Sequence, residues 1–259
     1  MVKMICKQET SEILNTVISL RNSKKYNEAV ELAQKTFRAT KDNCFNNEIY
    51  NCFVLQNKHL DAIRILIKML KYEPSNLSLM KKLASIYFRT GDYKNALKYY
   101  KKIADREPAT PDNQYNLGIT YHYLNDRQNA YQHYYNALSI NSKHAASLNN
   151  IGLLYYEAKD YENAIKIFKK TISISPCSPE AYHHMGIIQR VYKDDEELSE
   201  YYLKKAIRLD PKYADNYYQL ALTYNTYCRQ QESAAALEKC LELNPQHKQA
   251  KQLLEKFAE

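Results

Sequence analysis

The chain has 259 residues, of which 45% are hydrophobic and 25% are charged, and its formal net charge is +8. This balance excludes a disordered segment and is typical of a helical protein with many solvated helix faces. The basic excess indicates a mild, general attraction to acidic surfaces. Much of it lies in lysine pairs at matching positions, where solvation of a helix end is the favoured interpretation, so no nucleic-acid partner is expected.

The cysteines indicate a reducing compartment. None of the six forms a C-x-x-C pair or stands at zinc-ligand spacing from a histidine: Cys6, Cys44, Cys52, Cys177, Cys228 and Cys240. The polar N-terminus lacks the apolar run of a signal peptide, and the longest apolar stretch, 62–70, is interrupted by Arg64 and Lys68. We therefore expect a soluble, cytoplasmic protein without a membrane span, a metal or a cofactor.

Three glycines reveal an internal repeat. Gly118, Gly152 and Gly186 stand 34 residues apart and follow Asn-Leu, Asn-Ile and His-Met. A fixed period of this length indicates units that bury their apolar faces by stacking on one another. With these glycines at position 8, the predicted units are about 10–42, 43–76, 77–110, 111–144, 145–178, 179–213 and 214–247.

Each unit predicts two helices that cross closely. Position 8 is small in five units, and position 20 is small in all seven: Ala29, Ala62, Ala96, Ala130, Ala164, Ser199 and Ser233. Large residues at positions 7, 11 and 24 are expected to fill the core around this contact. Proline closes five units at position 32: Pro74, Pro108, Pro176, Pro211 and Pro245. Thr110 and Ser178, each followed by proline, are predicted helix N-caps.

Two units depart from the pattern. The first fits only after a shift of one residue and carries Val17 at position 8, so it is predicted to be a degenerate end. The sixth has one extra residue near Asp194–Glu197, so its second helix is expected from about Leu198. Those four acids lack the spacing and the turn glycine of a calcium loop, and a solvated turn is favoured. Residues 248–259 predict an amphipathic capping helix.

The chain resembles the tetratricopeptide repeat family. Its fourth unit matches the family motif at Leu117, Gly118, Tyr121, Ala130, Tyr134 and Ala137, although the usual tryptophan at position 4 is absent from all units. The resemblance covers about 10–247. It implies an all-α fold, an α–α superhelix or solenoid of about seven helix–turn–helix repeats plus the capping helix, as one domain over 1–259.

The resemblance also implies where partners bind. In this family the first helix of each repeat lines a concave groove, and its usual positions carry here Lys81, Lys82, Arg89, Tyr115, Asn116, His122, Asn149, Asn150, Tyr156, His183, His184, Tyr218 and Gln219. Position 6 of successive units resembles an asparagine ladder that holds an extended backbone: Asn116, Asn150, His184 and Gln219. The alternative is that such residues are simply frequent here. The family's carboxylate clamp is not expected, since Ser85 and Ala146 occupy two of its positions.

Catalysis is not expected. No phosphate loop or nucleophile motif occurs, and His183 and His184 are neighbours on a helix, so they point in different directions. The resemblance implies a non-enzymatic scaffold or adaptor that binds protein or peptide segments in the groove. The alternative is a structural subunit of a large ciliary, transport or cell-cycle assembly. The sequence leaves the partner, the pathway and the oligomeric state open.

Overall fold

The computed structural model describes residues 7–107 and 110–257, and within them every regular element is helical. The helices form two compact units, Met1–Asp126 and Arg127–Glu259. Pro108, the proline predicted to close the third repeat, and Cys6 lie outside the described residues. The all-α prediction is confirmed, and the single domain over 1–259 stays a prediction.

In both units the helices follow one another along the chain. The first unit contains α1 Lys7–Asn22, α2 Tyr26–Thr40, α3 Asn43–Leu55, α4 His59–Tyr72, α5 Leu77–Arg89, α6 Tyr93–Ala104 and α7 Pro111–Tyr123. The second contains α8 Arg127–Ile140, α9 Ala145–Glu157, α10 Tyr161–Ile174, α11 Pro179–Ile188, α12 Glu196–Leu209, α13 Ala214–Thr226, α14 Gln230–Leu243 and α15 Lys248–Glu255. Six of the odd-numbered helices, α3 to α13, begin at the first residue of a predicted repeat.

Both predicted N-caps stand at the N-cap position of their helices, but only one of them makes the capping hydrogen bond. Thr110 Oγ1 accepts a hydrogen bond from the backbone N–H of Asn113 at 3.4 Å, so it caps α7. Ser178 makes no such bond to α11. Its oxygen accepts from Asn149 Nδ2 at 3.0 Å, and its O–H donates to Glu180 Oε2 at 3.0 Å, so the side chain is held by these two partners.

The small residues predicted at position 20 are all fully buried. The glycines at position 8 make room for a large neighbour at position 24 of the second helix. A Cβ added to Gly152 would lie 2.7 Å from the Phe168 ring, and one added to Gly186 would lie 2.6 Å from Leu203 Cγ. The helix crossing in these repeats therefore depends on two features. A large side chain at position 24 packs against the glycine at position 8, and the residue at position 20 is small.

The side chains at position 11, expected in the core, are only partly buried with the exception of Tyr224: Phe53, Tyr87, Tyr121 and Tyr155. The tyrosines lie at the edge of the core because their hydroxyls need polar partners. The Tyr155 hydroxyl, for example, lies 2.8 Å from the hydroxyl of Tyr131.

The extra residue of the sixth repeat is absorbed by a π-helical turn, Gln189–Lys193, at the end of α11. A π turn holds one residue more than an α turn, so the following helix pair keeps its packing. The second helix, α12, begins at Glu196, two residues before the predicted start. Asp195 caps it by accepting from the Leu198 N–H at 2.9 Å. Only the first two of the four acids therefore precede the helix, and the prediction of a four-acid turn is wrong.

The last helix, α15, covers the end of the second unit as predicted. Ala250 is fully buried, and Leu253, Leu254 and Phe257 pack against the core formed by α13 and α14. Lys251 and the other predicted outward residues are exposed. An amphipathic helix of this kind shields the apolar face that the last repeat would otherwise leave open.

Candidate functional site

The first helices of the sixth and seventh repeats, in the second unit, are joined by polar contacts. His183 Nδ1 on α11 lies 2.7 Å from Asn216 Oδ1 on α13. Arg190 Nη2, in the π turn after α11, donates to Gln219 Oε1 on α13 at 2.9 Å. We call the surface made by α9, α11 with its π turn, and α13 the first-helix face. It carries seven of the predicted site residues and Arg190, which contacts one of them. The seven are Asn149, Asn150, Tyr156, His183, His184, Tyr218 and Gln219.

His184 is an imidazole packed among aromatic rings. Its ring stacks on Phe168 with centroids 5.3 Å apart and contacts Tyr156 at 5.4 Å. The Nδ1 atom is buried and has no hydrogen-bond partner. Burial, with a smaller contribution from neighbouring His183, lowers the pKa of His184 to about 3. The side chain is therefore neutral at physiological pH.

Arg190 is a cation without a counter-ion on this face. Its Nε atom is buried and unpartnered, and among the described residues no carboxylate forms an ion pair with it. Burial lowers its pKa, although the phenols of Tyr156 and Tyr218 act in the opposite direction. A guanidinium in this position is available to an anionic or carbonyl group of a ligand.

Asn149 and Asn150 are less available than the ladder hypothesis requires. Asn150 Nδ2 donates to the carbonyl of Ala146 in its own helix at 2.9 Å. Asn149 Nδ2 donates to Ser178 Oγ at 3.0 Å, which leaves Asn149 Oδ1 buried and without a partner. The ladder itself stays a prediction. The unpartnered acceptor is Oδ1 of Asn149, which stands one residue before Asn150, the predicted ladder residue of this repeat.

Asn216 is a member of this face that the sequence analysis missed. It is only 1% exposed, its Oδ1 is engaged by His183, and its Nδ2 has no partner. The sequence signal was a polar residue at position 3, where Phe45 and Leu79 occupy the core of earlier repeats. Tyr218, also on α13, packs its ring against that of His247, with ring centres 4.6 Å apart.

Two of the three basic residues predicted in the first unit, Lys81 and Lys82, already have partners. Lys81 Nζ forms an ion pair with Glu107 at 2.6 Å. Lys82 Nζ donates to an asparagine of α3 at 3.1 Å and lies 5.1 Å from the ring centre of Tyr50. Arg89 acts on the same Tyr50, whose pKa burial raises and Arg89 partly lowers. Lys82 and Arg89 are thus brought together around one phenol.

The remaining predicted residues of the first unit lie on α7. Tyr115, Asn116 and His122 are all half-buried. Next to them Tyr123 is exposed and stacks on Tyr93 with ring centres 4.8 Å apart. Exposed stacked phenols provide a contact surface of low conformational entropy.

Within residues 7–107 and 110–257, no group of three or more His, Cys, Asp or Glu residues is arranged to hold a metal ion. The rings of His183 and His184 stand at 86° to each other with centroids 5.1 Å apart. No helix between residues 7 and 257, outside the 108–109 gap, combines the length and apolarity needed to cross a membrane.

Comparison with known families gives three matches, all to models of the tetratricopeptide repeat. They cover residues 54–113, 109–176 and 214–247, which together make up more than half of the chain. A comparison with curated proteins gives no significant match.

Solved structures with the same fold extend over nearly the whole chain. A tetratricopeptide repeat protein from Parabacteroides merdae is similar over 96% of this chain and 98% of its own, with 17% identity and a TM-score of 0.77. A chain of the Cut9–Hcn1 hetero-tetramer of the APC/C is similar over 94% of this chain and 48% of its own, with 16% identity and a TM-score of 0.71. The protein MamA is 27% identical over 64% of this chain and 97% of its own, with a TM-score of 0.54.

The family matches fall on the helix pairs that the structure shows, and the shared fold covers repeats on both sides of them. Repeats of this kind act in general as protein–protein interaction modules, and their folds are typically non-catalytic. The chain belongs to the tetratricopeptide repeat family.

Proposed function

We propose that this protein is a non-enzymatic scaffold or adaptor that binds an extended segment of a protein partner on the first-helix face. One observation carries the proposal. Four buried polar atoms without hydrogen-bond partners lie on the first helices of three successive repeats: Asn149 Oδ1, His184 Nδ1, Arg190 Nε and Asn216 Nδ2.

Such atoms are costly unless something pairs with them. A buried donor or acceptor left unsatisfied costs about 1–3 kcal/mol, so native proteins contain few of them. We infer that the four on this face are completed by a bound partner. The face offers donors at Arg190 and Asn216 and an acceptor at Asn149. An extended backbone presents an N–H and a C=O at every residue and can satisfy both kinds.

The surroundings of these atoms favour a protein ligand. Tyr156 and Tyr218 are half-buried beside Arg190 and offer amphipathic rings that add contact area at low entropic cost. In the first unit, Lys82 and Arg89 around Tyr50, together with Tyr115, Asn116 and His122, are proposed as a further binding surface. The five described cysteines are free thiols, which supports the proposed cytoplasmic location.

The experiment compares matched variants of the whole chain. Wild type, an Asn149→Ala/Arg190→Ala variant and a Glu238→Ala control are immobilised, and partners are captured from a cell extract and identified by mass spectrometry. Glu238 lies exposed on α14, a second helix. We expect the control to retain the partner and the double variant to lose it while its circular dichroism stays unchanged. A partner bound equally by all three would contradict the proposal.

A second candidate is a structural subunit packed permanently into a larger assembly. It is favoured by large apolar side chains exposed on second helices, such as Leu60 at 72% and Tyr72 at 70% on α4 and Tyr201 at 57% on α12. The Cut9–Hcn1 hetero-tetramer shows this fold within an assembly of several chains. Sedimentation of the purified chain separates the candidates: an adaptor stays monodisperse, whereas a subunit deprived of its neighbours aggregates.

A further inference from the structure

A pocket of about 310 Å³ opens on the first-helix face between α11 and α13. It is lined by Pro179, Glu180, His183, His184, Asp210, Tyr213 and Asn216. All of these belong to the sixth and seventh repeats and lie within the second unit. The pocket is therefore part of the surface to which we assign partner binding.

The two carboxylates that line the pocket have no cationic partner. Glu180 Oε2 accepts only from neutral groups, Ser178 Oγ at 3.0 Å and Asn149 Nδ2 at 3.5 Å. Asp210 Oδ1 accepts from the backbone N–H of Lys212 at 3.2 Å. Among the described residues neither carboxylate forms an ion pair, although the chain carries a net charge of +8.

The local turn does not require a charge at Asp210. Two other repeats make the same bond at the same place with a neutral amide. Asn141 Oδ1 accepts from the Lys143 N–H at 3.0 Å, and Asn244 Oδ1 accepts from the Gln246 N–H at 3.1 Å. Asp210 also follows the C-terminus of α12, where the helix dipole disfavours a negative charge. The local structure therefore does not explain why residue 210 is an aspartate and not a neutral asparagine.

A buried amide in the pocket wall also lacks a partner. Asn216 is 1% exposed, and its Oδ1 is held by His183 Nδ1 at 2.7 Å, so the side chain is fixed in orientation. Its Nδ2 has two N–H groups and no acceptor. A ligand that offers a carbonyl oxygen in this pocket would supply one.

An aromatic side chain, Tyr213, forms part of the pocket wall. Tyr213 is exposed and stands edge-on to His183 with ring centres 5.8 Å apart. Burial, a hydrogen bond to Asp215 and the charges of Asp210 and Glu180 raise the pKa of Tyr213 to about 12. The two histidines do not offset this charge, because burial lowers the pKa of each.

We infer that this pocket selects a lysine or arginine side chain of the bound segment. The cationic head lies at the carboxylates of Glu180 and Asp210, and its aliphatic stem packs on the Tyr213 ring. Asn216 Nδ2 donates to a backbone carbonyl of the same segment. This inference rests on the proposed function, since it states which side chain the first-helix face recognises.

The test uses random extended peptides displayed on phage and selected on the full-length chain. Selected peptides are synthesised with each Lys or Arg as it stands and replaced by Gln, and their affinities are measured by fluorescence anisotropy. The protein variants are Glu180→Gln/Asp210→Asn, Asp210→Asn alone and the control Glu238→Gln. Asp210→Asn reproduces the neutral turn found at Asn141 and Asn244, so this variant is expected to fold.

We expect one basic position to recur among the selected peptides. Its replacement by Gln, or the Glu180→Gln/Asp210→Asn pair, weakens binding about tenfold or more, while Glu238→Gln changes it less than about twofold. Selected peptides without a basic position, or with affinities that both pocket variants leave unchanged, overturn the inference and leave the scaffold function standing. If no peptide is selected, and the captured partners bind the Asn149→Ala/Arg190→Ala variant as well as they bind wild type, both this inference and the proposed function are wrong.

Discussion

At the scale of the residue, glycine at position 8 lets the two helices of a repeat approach closely. Gly152 on α9 lies under the ring of fully buried Phe168 on α10, and Gly186 on α11 lies under Leu203 on α12. Glycine in a helix interior costs about 1 kcal/mol relative to alanine. The close packing that it permits outweighs this cost, and it explains why glycine returns at the same position.

We predict that Gly152→Leu destabilises the protein by about 1–3 kcal/mol or more, because the new side chain has no room beside Phe168. Urea denaturation followed by circular dichroism measures the loss. In the double variant Gly152→Leu/Phe168→Ala the cavity accepts the leucine, so the two losses should fall short of additivity. Strictly additive losses would show that these side chains do not compete for one space.

His184 makes the stability of the protein sensitive to acid. Its pKa in the folded state is about 3, against an ordinary value of 6.5, so between these values the unfolded chain binds more protons than the folded one. The contribution of the neutral His184 to the free energy of unfolding is complete above about pH 6.5 and is lost as the pH falls toward 3. Between pH 7 and pH 5 the loss amounts to about 2 kcal/mol.

We predict that His184→Phe removes this part of the acid sensitivity, because phenylalanine keeps the stacking on Phe168 and does not titrate. Urea midpoints at pH 7 and pH 5 give the measurement, and the difference between them should shrink in the variant. Tyr156→Phe alters the same aromatic contact without removing the imidazole, so it should retain the wild-type difference. Equal differences in all three proteins would mean that His184 is accessible to protons in the folded state.

At the scale of the helix, side-chain caps help to fix where several helices begin. At two of these N-cap positions, before α9 and α15, the cap is an imidazole. His144 Nδ1 accepts from the Ser147 N–H at 3.3 Å, and His247 Nδ1 accepts from the Ala250 N–H at 3.2 Å. Sequence rules for caps favour Ser, Thr, Asp and Asn, so these two went unpredicted.

We predict that His247→Ala costs about 1 kcal/mol and frays α15, since it removes the cap of that helix. It also removes the bond from Nε2 to Asp215 Oδ1, 2.9 Å away. Hydrogen exchange of the α15 amides measures the fraying. His247→Asn retains a capping oxygen and should recover most of the protection. Protection unchanged in His247→Ala would show that packing of Leu253 and Leu254 alone holds the helix.

At the scale of the whole molecule, a repeat array should confine damage to its site. Each repeat contacts only its neighbours along the chain, so a local loss of stability spreads over short distances. We predict that Gly152→Leu raises amide exchange in α9, α10 and the adjoining α11 and leaves α1 to α4 at wild-type rates. Hydrogen exchange with mass spectrometry resolves these segments. Uniformly faster exchange throughout the chain would indicate a single cooperative unit.

The sequence by itself determined the helix pairs and most of the core. The period of 34 placed the glycines, the small residues at position 20 and the starts of six first helices, because each position meets the same neighbours in every repeat. The exceptions have two causes. Ser178 is held by Asn149 and Glu180 and makes no capping bond to α11, and the extra residue of the sixth repeat produces a π turn at Gln189–Lys193.

Only the tertiary structure decided which polar side chains are available to a partner. Lys81, Lys82 and Asn150 occupy groove positions of the motif, yet each is engaged within the chain. Asn216 is outside that motif, and its amide donor is unpaired. Periodicity fixes the face on which a residue lies, whereas hydrogen bonds between neighbouring repeats depend on side chains far apart in sequence, and these the period does not specify.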